Sequence, residues 1–308
     1  MRYLQIIPVI IAALLLAAGC SKQKDTNVKH GYVVVDDIGD SVAFNAAPQR
    51  VITLAPSMTE MIYAIGAEKY LVGNTLYCDY PEAAKKITKV GDILTFDYEK
   101  ILSLKPDIIF LTVEGNQKDT YDKFRELGLK LFVSNPRNFA GIKKTFLDMG
   151  VVFQKEDTAK SIVAGWDSTV AKVKDETKNL DTKTMMLIVD LNPLILAGKN
   201  TFINELIEMC GMKNIAAGAP SNYPQFSREQ IVKLNPDFII YPASENTKLS
   251  NVLSVYPEWK ELKAVKNDQL IFVDRNLYSR PGPRFVAALE DLFRKTVGRQ
   301  DHHHSDSK

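Results

Sequence analysis

Residues 155–181, KEDTAKSIVAGWDSTVAKVKDETKNLD, carry the pattern that organises the chain. Its apolar residues recur every three or four positions, and this spacing predicts one long amphipathic helix. Carboxylates in its first turn and lysines near its end suit the helix dipole. A helix of about 25 residues is about 37 Å long, enough to cross a small domain. The apolar residues recur at helical spacing: Ala159, Ile162, Val163, Trp166, Val170, Val173 and Leu180.

A similar segment stands on each side of this helix. Residues 96–110 read FDYEKILSLKPDIIF, and residues 226–240 read FSREQIVKLNPDFII. In each copy a glutamate opens a short amphipathic helix, a Pro-Asp pair ends it, and an apolar strand follows. Two copies are too few for a solenoid. They predict two similar lobes joined by the long helix.

Strands and helices alternate in both halves, which predicts an α/β fold. We expect two similar lobes, each with a central, mainly parallel sheet flanked by helices, joined by one long inter-lobe helix. At the end of the first core strand, Ser57 and Glu60 match a capping box. The predicted units are a signal peptide (1–19), a tether (20–31), an N-terminal lobe (32–150), the inter-lobe helix (151–182), a C-terminal lobe (183–298) and a disordered tail (299–308).

The first twenty residues have the pattern of a targeting signal. Arg2 precedes an apolar run, Leu4–Ala18, which is shorter than the roughly 20 residues that span a bilayer. Cys20 follows small residues, so the segment resembles a lipoprotein signal with lipid on Cys20. Acyl chains would hold the mature protein on a membrane surface. The alternative is an ordinary signal peptide with an incidental cysteine.

Two further cysteines, Cys78 and Cys210, lie in opposite halves of the chain. A disulfide between them would lock the lobes together, but residues so far apart in the chain rarely meet, and we expect two free thiols. Neither has a histidine neighbour at metal-ligand spacing, so no metal site is predicted.

Composition and motifs argue against an enzyme or a nucleic-acid partner. Lys and Arg number 39 against 37 Asp and Glu, so no basic surface is indicated. Ahead of the tail the only histidine is His30, which leaves no Ser-His-Asp or Cys-His arrangement. The sequence has no phosphate-binding loop, and we expect no cofactor.

Ligands of parallel α/β lobes collect in loops at the carboxyl ends of strands. We therefore expect the cleft to be lined by residues 77–81, 112–116, 190–193, 222–225 and 274–283. Their rings and polar groups suit a large, flat, partly polar ligand. For each tyrosine the alternative is ordinary packing, and for the arginine a salt bridge. The candidate ligand contacts are Tyr77, Tyr80, Asn192, Tyr223, Gln225, Asp274, Tyr278 and Arg280.

Glu99 and Glu229 occupy equivalent positions in the two repeat copies. A carboxylate in the first turn stabilises a helix by about 0.3–1 kcal/mol, which is one explanation for both. The other is that similar lobes present two anionic points that dock on basic patches of a membrane partner.

The motifs together resemble a known family. They are residues 50–60 (RVITLAPSMTE), 78–81 (CDYP), 104–107 (LKPD) and 280–284 (RPGPR). From about residue 33 to 297 the chain is similar to the substrate-binding proteins of ABC importers that have a single rigid inter-lobe helix. These serve vitamin B12, haem and ferric siderophores. The resemblance implies a protein that delivers a small molecule to transmembrane subunits, and we expect a monomer. The targeting signal implies that it works outside the cytoplasm. We expect little lobe motion, because bending a packed helix is costly.

Residues 223–230 and 77–81 most resemble the vitamin B12-binding members. By that likeness Tyr77 contacts the corrin face, and Tyr223 stands in place of a tryptophan. Asp79 and Tyr80, in the same first-lobe cleft loop as Tyr77, are further candidate ligand contacts. Asp274 and Arg280 match a polar pair of the second lobe. Glu99 and Glu229 match glutamates that meet arginines of the transmembrane subunits.

The first-lobe tryptophans of those members are absent, and Ile93 and Thr112 stand near their places. The expected ligand is cobalamin or a related corrinoid. The runner-up is haem or a ferric siderophore, with Tyr77 or Tyr80 on the iron. An extracellular enzyme, or a scaffold lipoprotein with a filled cleft, is the third interpretation.

Overall fold

The computed structural model describes residues 31–297. The predicted signal peptide, Cys20, most of the tether and the tail lie outside this range. Within it, none of the helices combines the length and the apolar character needed to cross a bilayer.

The N-terminal lobe opens with an antiparallel hairpin, β1 (Tyr32–Val35) and β2 (Ser41–Phe44). Four parallel strands then form a sheet, β3 (Val51–Thr53), β4 (Leu71–Asn74), β5 (Ile108–Thr112) and β6 (Leu131–Ser134), in the order β4-β3-β5-β6. The helices of this lobe are α1 (Pro56–Ala64), α2 (Tyr98–Ser103), α3 (Lys118–Glu126) and α4 (Phe139–Val152). Short 3₁₀ turns cover Glu68–Tyr70 and Glu82–Lys86.

The long helix α5 (Glu156–Thr177) has 22 residues and is about 33 Å long. It confirms the predicted inter-lobe helix, and it begins and ends a few residues inside the predicted range. Its buried stripe packs against α4, where the rings of Trp166 and Phe146 lie 4.8 Å apart. Gly150 makes this crossing close, because a Cβ there would stand 2.7 Å from the Cβ of Ala159. The buried residues of the stripe are Ala159, Val163, Trp166, Val170, Val173 and Thr177.

The C-terminal lobe has five strands, β7 (Thr184–Leu191), β8 (Leu194–Leu196), β9 (Lys213–Asn214), β10 (Phe238–Ala243) and β11 (Leu270–Asp274). Their order is β11-β10-β7-β8 with β9 also on β7, and only β8 is antiparallel. The helices are α6 (Phe202–Met209), α7 (Arg228–Leu234), α8 (Leu249–Val255), α9 (Lys263–Lys266), α10 (Arg275–Ser279) and α11 (Phe285–Thr296), with a 3₁₀ turn at Pro257–Glu261. The predicted fold class is confirmed.

One continuous apolar core packs against the buried face of α5 and reaches both lobes. Strand alternation explains how each sheet contributes to it. In β5, Ile108 and Phe110 face this central core, whereas Ile109 and Leu111 face a second cluster on the other side of the sheet. Both sheets are therefore buried on two faces, as parallel sheets require.

The aspartate of the repeated Pro-Asp pair accepts equivalent hydrogen bonds in both lobes. The Asp107 carboxylate accepts a hydrogen bond from the backbone N–H of Arg50 (2.9 Å), just before β3. The Asp237 carboxylate accepts from the backbone N–H (2.9 Å) and hydroxyl (2.7 Å) of Thr184, the first residue of β7. Each aspartate thus ties the end of a repeat helix to the start of a neighbouring strand, which explains why the segment recurs.

Two local predictions are wrong. Helix α1 is capped by Ala55 with Pro56 in its first turn, so Ser57 is inside the helix and forms no capping box with Glu60. The segment after Asp274, expected to be a loop, contains α10, because the Asp274 carboxylate caps it by accepting from the N–H of Leu277 (2.6 Å).

Cys78 and Cys210 are buried free thiols, as expected. Burial raises the pKa of the Cys210 thiol to about 12.

Candidate functional site

A cavity of about 420 Å³ lies between the lobes, at the carboxyl ends of the strands. The N-terminal lobe lines it with residues that follow β3, β5 and β6, and with Tyr77 and Ile93. The C-terminal lobe contributes Tyr223 and residues around α10, including Asn276 and Arg280. This position agrees with the rule that ligands of parallel sheets bind beyond strand ends.

A buried ionic cluster joins the lobes at one side of the cavity. The Glu60 carboxylate, on α1, accepts two hydrogen bonds from Arg284 (2.8 and 2.6 Å) and one from Arg280 (3.0 Å). Arg280 also donates to Asp79 (2.7 Å), and the Asn276 amide donates to the other Asp79 oxygen (2.9 Å). The Glu60 side chain is 1% exposed, so its charge depends on these partners.

The cluster favours the charged forms of Asp79 and Arg284. Burial disfavours the charged form of Asp79, but the hydrogen bonds and charge of Arg280 outweigh it and hold the Asp79 pKa below its ordinary value. Burial likewise opposes the Arg284 charge, yet its bonds to Glu60 leave the Arg284 pKa raised. The arginines are therefore engaged by protein carboxylates rather than presented to a ligand.

A second contact crosses the cleft at another side of the cavity. Glu114, just after β5, forms a salt bridge with Arg137 (2.7 Å). The Tyr223 hydroxyl, from the opposite lobe, donates to the other Glu114 oxygen (3.2 Å). Burial and the nearby Glu114 charge raise the Tyr223 pKa, so this hydroxyl stays protonated as a donor. In the amide orientation that satisfies both neighbours, Asn222 accepts from Arg137 (2.6 Å) and donates to the Lys199 carbonyl (3.2 Å).

The structure brings part of the predicted set to the cavity. Tyr77, Tyr223 and Arg280 line it, together with Ile93 and Thr112. Tyr77 is 53% exposed on the N-terminal wall. Asp79 lies behind Arg280, and the Tyr80 ring lies 4.1 Å from the Arg284 guanidinium, so both belong to the ionic cluster.

Four predicted contacts lie away from the cavity wall. Gln225 is exposed and pairs with Ile195 through an isolated β-bridge. Asn192 is exposed in the β7–β8 hairpin, where its N–H donates to Asp190 (3.1 Å). Asp274 is the cap of α10. Tyr278 is 1% exposed in the core, where its hydroxyl donates to Asp291 (3.0 Å) and burial raises its pKa. The unexpected helix α10 explains this, since it turns Tyr278 inward.

Sequence reasoning missed Glu60, Asn135 and the link from Glu114 to Arg137. Residues 112–116, which were expected to line the cleft, include Glu114. Asn135 directly follows a strand, so the same strand-end rule could have identified it. Glu60 had no local signal, because its partners stand more than 200 residues away.

Glu99 and Glu229 are exposed at the second position of α2 and α7. The helices begin at equivalent caps, Asp97 and Ser227, each accepting from the backbone N–H three residues later (2.9 and 3.2 Å). Hydrogen bonds at the helix start lower the pKa of Glu229. The repeat therefore gives the two carboxylates the same local setting in each lobe.

Comparison with known proteins identifies the family. The family model of the periplasmic binding proteins matches residues 51–277, and the chain belongs to this family. It is 32% identical over 303 residues to the uncharacterized ABC transporter substrate-binding lipoprotein YvrC of Bacillus subtilis, covering 92% of this chain and 95% of that one.

Two further matches carry a ligand in their names. The vitamin B12-binding protein of Pectobacterium carotovorum is 27% identical over 249 residues, which cover 80% of this chain and 88% of the relative. The crystal structure of the periplasmic vitamin B12 binding protein BtuF of Vibrio cholerae superposes with a TM-score of 0.71 at 26% identity, covering 82% of this chain and 98% of that one.

Proposed function

We propose that the chain is the substrate-binding protein of an ABC importer, and that it captures cobalamin or a related corrinoid in the inter-lobe cleft and delivers it to the transmembrane subunits. The observation that carries the proposal is a cleft at the strand ends of both lobes with a tyrosine on each wall. The names of the similar proteins support the same role.

A corrinoid is broad, flat and apolar on its faces, with amide groups at its rim. Tyr77 and Tyr223 offer aromatic surface from opposite lobes, which suits such faces. Arg280, the cation on the cavity wall, is already paired with Glu60 and Asp79. A ligand with anionic groups would have to compete with those carboxylates.

The runner-up ligands are haem and a ferric siderophore. The exposed side chain of Tyr77 favours them, because a phenol at the cleft could coordinate iron. The transport role would be unchanged.

The test of ligand class is a visible spectrum. Purified protein is mixed separately with cyanocobalamin, haemin and a ferric hydroxamate, then desalted. One cobalamin per chain in the protein fraction is the expected result. A haem or hydroxamate spectrum instead would contradict the corrinoid assignment, and colourless protein in all three would contradict the binding role.

We further propose that Glu99 and Glu229 dock on basic residues of the transmembrane subunits, and that lipid on Cys20 holds the protein at the extracytoplasmic face. The equivalent exposed positions of the two carboxylates support the docking proposal. Two like charges placed by a repeat fit a partner that offers a cation to each lobe.

The test of docking is the double variant Glu99→Ala with Glu229→Ala, which should keep its cobalamin affinity and lose transport in a reconstituted importer. The matched control, Glu126→Ala with Glu176→Ala, removes two exposed glutamates elsewhere, on α3 and α5, and should transport normally. Normal transport by the docking variant would refute the assignment.

A further inference from the structure

Two polar side chains meet the cavity beside one another in the sheet. Glu114 lies two residues after the end of β5, and Asn135 lies directly after the end of β6. Because β5 and β6 are adjacent parallel strands, their carboxyl ends share one edge. Both residues line the cavity.

The Asn135 side chain is incompletely paired. Its Oδ1 is buried and has no hydrogen-bond partner among residues 31–297. An unsatisfied buried acceptor costs about 1–3 kcal/mol, so such groups call for an explanation. Because Asn135 itself lines the cavity, rotation of its side-chain amide would bring this acceptor to a ligand N–H donor, which would supply the missing partner.

The Glu114 carboxylate is held in place by two hydrogen bonds but can accept more. One oxygen accepts from Arg137 and the other from Tyr223. An ionised carboxylate offers about four acceptor sites, so each oxygen can take another donor. The side chain is 33% exposed, so a ligand can reach it. Together with Asn135 it makes an edge that offers acceptors.

The surrounding charges do not favour an anion. Across the cleft, the ionic groups of the two inter-lobe contacts balance, three carboxylates against three guanidiniums. A ligand carboxylate placed near Glu114 would meet a like charge, and the neighbouring Arg137 is already paired with Glu114. A carboxamide there could donate its N–H groups. The six charged groups of the two contacts are the carboxylates of Glu60, Asp79 and Glu114 and the guanidiniums of Arg137, Arg280 and Arg284.

We infer that Glu114 and Asn135 form a subsite for hydrogen-bond donors, which binds primary carboxamides on the ligand rim and rejects carboxylates at the same place. This inference rests on the proposed function and deepens it, because it makes rim amides the feature that the cleft recognises. The subsite discriminates a corrinoid from a macrocycle that carries carboxylate side chains.

The experiment compares cyanocobalamin with its monocarboxylic acids, in which one rim amide is hydrolysed, by calorimetric titration at neutral pH. Wild-type protein should bind at least one acid isomer about tenfold or more weakly than the amide, since a tenfold change is about 1.4 kcal/mol. Asn135→Ala should bind cyanocobalamin about tenfold more weakly, the size of one hydrogen bond. Glu114→Gln, which can donate to a carboxylate, should reduce the discrimination to within about threefold, because the like charge is gone.

Asn246→Ala is the matched control, since it removes an exposed amide in the loop after β10, away from the cavity. It should bind both ligands as wild type does. Thermal unfolding measures whether each variant folds. If Asn135→Ala does not fold, the near-isosteric Glu114→Gln still tests the subsite.

The outcomes separate the inference from the proposed function. Wild-type protein that binds amide and acid forms equally, or variants at both positions that match the control, would overturn the subsite while leaving cobalamin binding intact. Wild-type protein that binds no cobalamin at all would overturn the proposed function itself.

Discussion

Removing Arg284 tests whether the buried ionic cluster holds the lobes together. In Arg284→Met the stem packing is largely kept, but Glu60 loses two of its three charged hydrogen bonds. Arg284 is 18% exposed and Glu60 1% exposed, so solvent cannot replace the lost partner. The remaining bond is the one from Arg280, at 3.0 Å.

The expected loss follows from this geometry. Breaking a buried pair by removing one partner costs about 3–5 kcal/mol, and the surviving Arg280 contact places this case near 3 kcal/mol. Loss of the contact between Arg284 and the Tyr80 ring adds about 0.5–1 kcal/mol. Urea unfolding followed by fluorescence and circular dichroism measures the change, with an unaltered slope expected.

Arg294→Met on the same helix, α11, is the matched control. Arg294 pairs with Asp291 at 2.6 Å but is 75% exposed, so we expect a loss of about 0–1 kcal/mol. The double variant Glu60→Gln with Arg284→Met should recover part of the stability, because it leaves no unpaired buried charge at Glu60. An Arg284→Met protein as stable as the control, or a double variant no more stable than the single one, would show that these buried charges do not stabilise the contact between the lobes.

Two further predictions concern alkaline stability and lobe motion. Burial raises the pKa of the Cys210 thiol from 9.0 to about 12, so its contribution to stability is fully present below pH 9 and is lost as the pH rises towards 12, at up to about 1.4 kcal/mol per pH unit. Between pH 8 and 11 the free energy of unfolding, measured with urea, should fall less steeply with pH in Cys210→Ala than in the wild type. Identical slopes in the two proteins would contradict this prediction. Cobalamin should leave the radius of gyration from X-ray scattering nearly unchanged, because α5 is a continuous packed helix and the Phe139 and Phe285 rings stack between lobes at 5.0 Å. A large compaction on binding would contradict a rigid hinge.

The sequence was sufficient wherever the signal was local and periodic. The apolar spacing of residues 155–181 predicted α5 to within a few residues, and the two repeat copies predicted the two lobes. Strand alternation with helices then placed Tyr77, Tyr223 and Arg280 near the strand ends, where the cavity lies.

The failures have physical causes that a linear pattern does not contain. Ser57 and Glu60 matched a capping box, but Pro56 starts the helix and Arg284 recruits Glu60 from the other lobe. Tyr278 was placed in a loop because α10 has only five residues, too short for a periodic signal. The proximity of Glu114 and Asn135 depends on β5 and β6 being neighbours in the sheet, and the linear sequence does not state strand order.

In the proposed complex, a corrinoid binds between the lobes, against a tyrosine on each wall. The most direct measurement is a calorimetric titration of cyanocobalamin into wild-type protein and into Tyr77→Ala with Tyr223→Ala. We predict one site per chain in the wild type and a loss of about 100-fold in the double variant, since base-sized rings stacked on aromatic side chains contribute about 1–3 kcal/mol each. Equal affinity in the two proteins would place the ligand elsewhere and contradict the account.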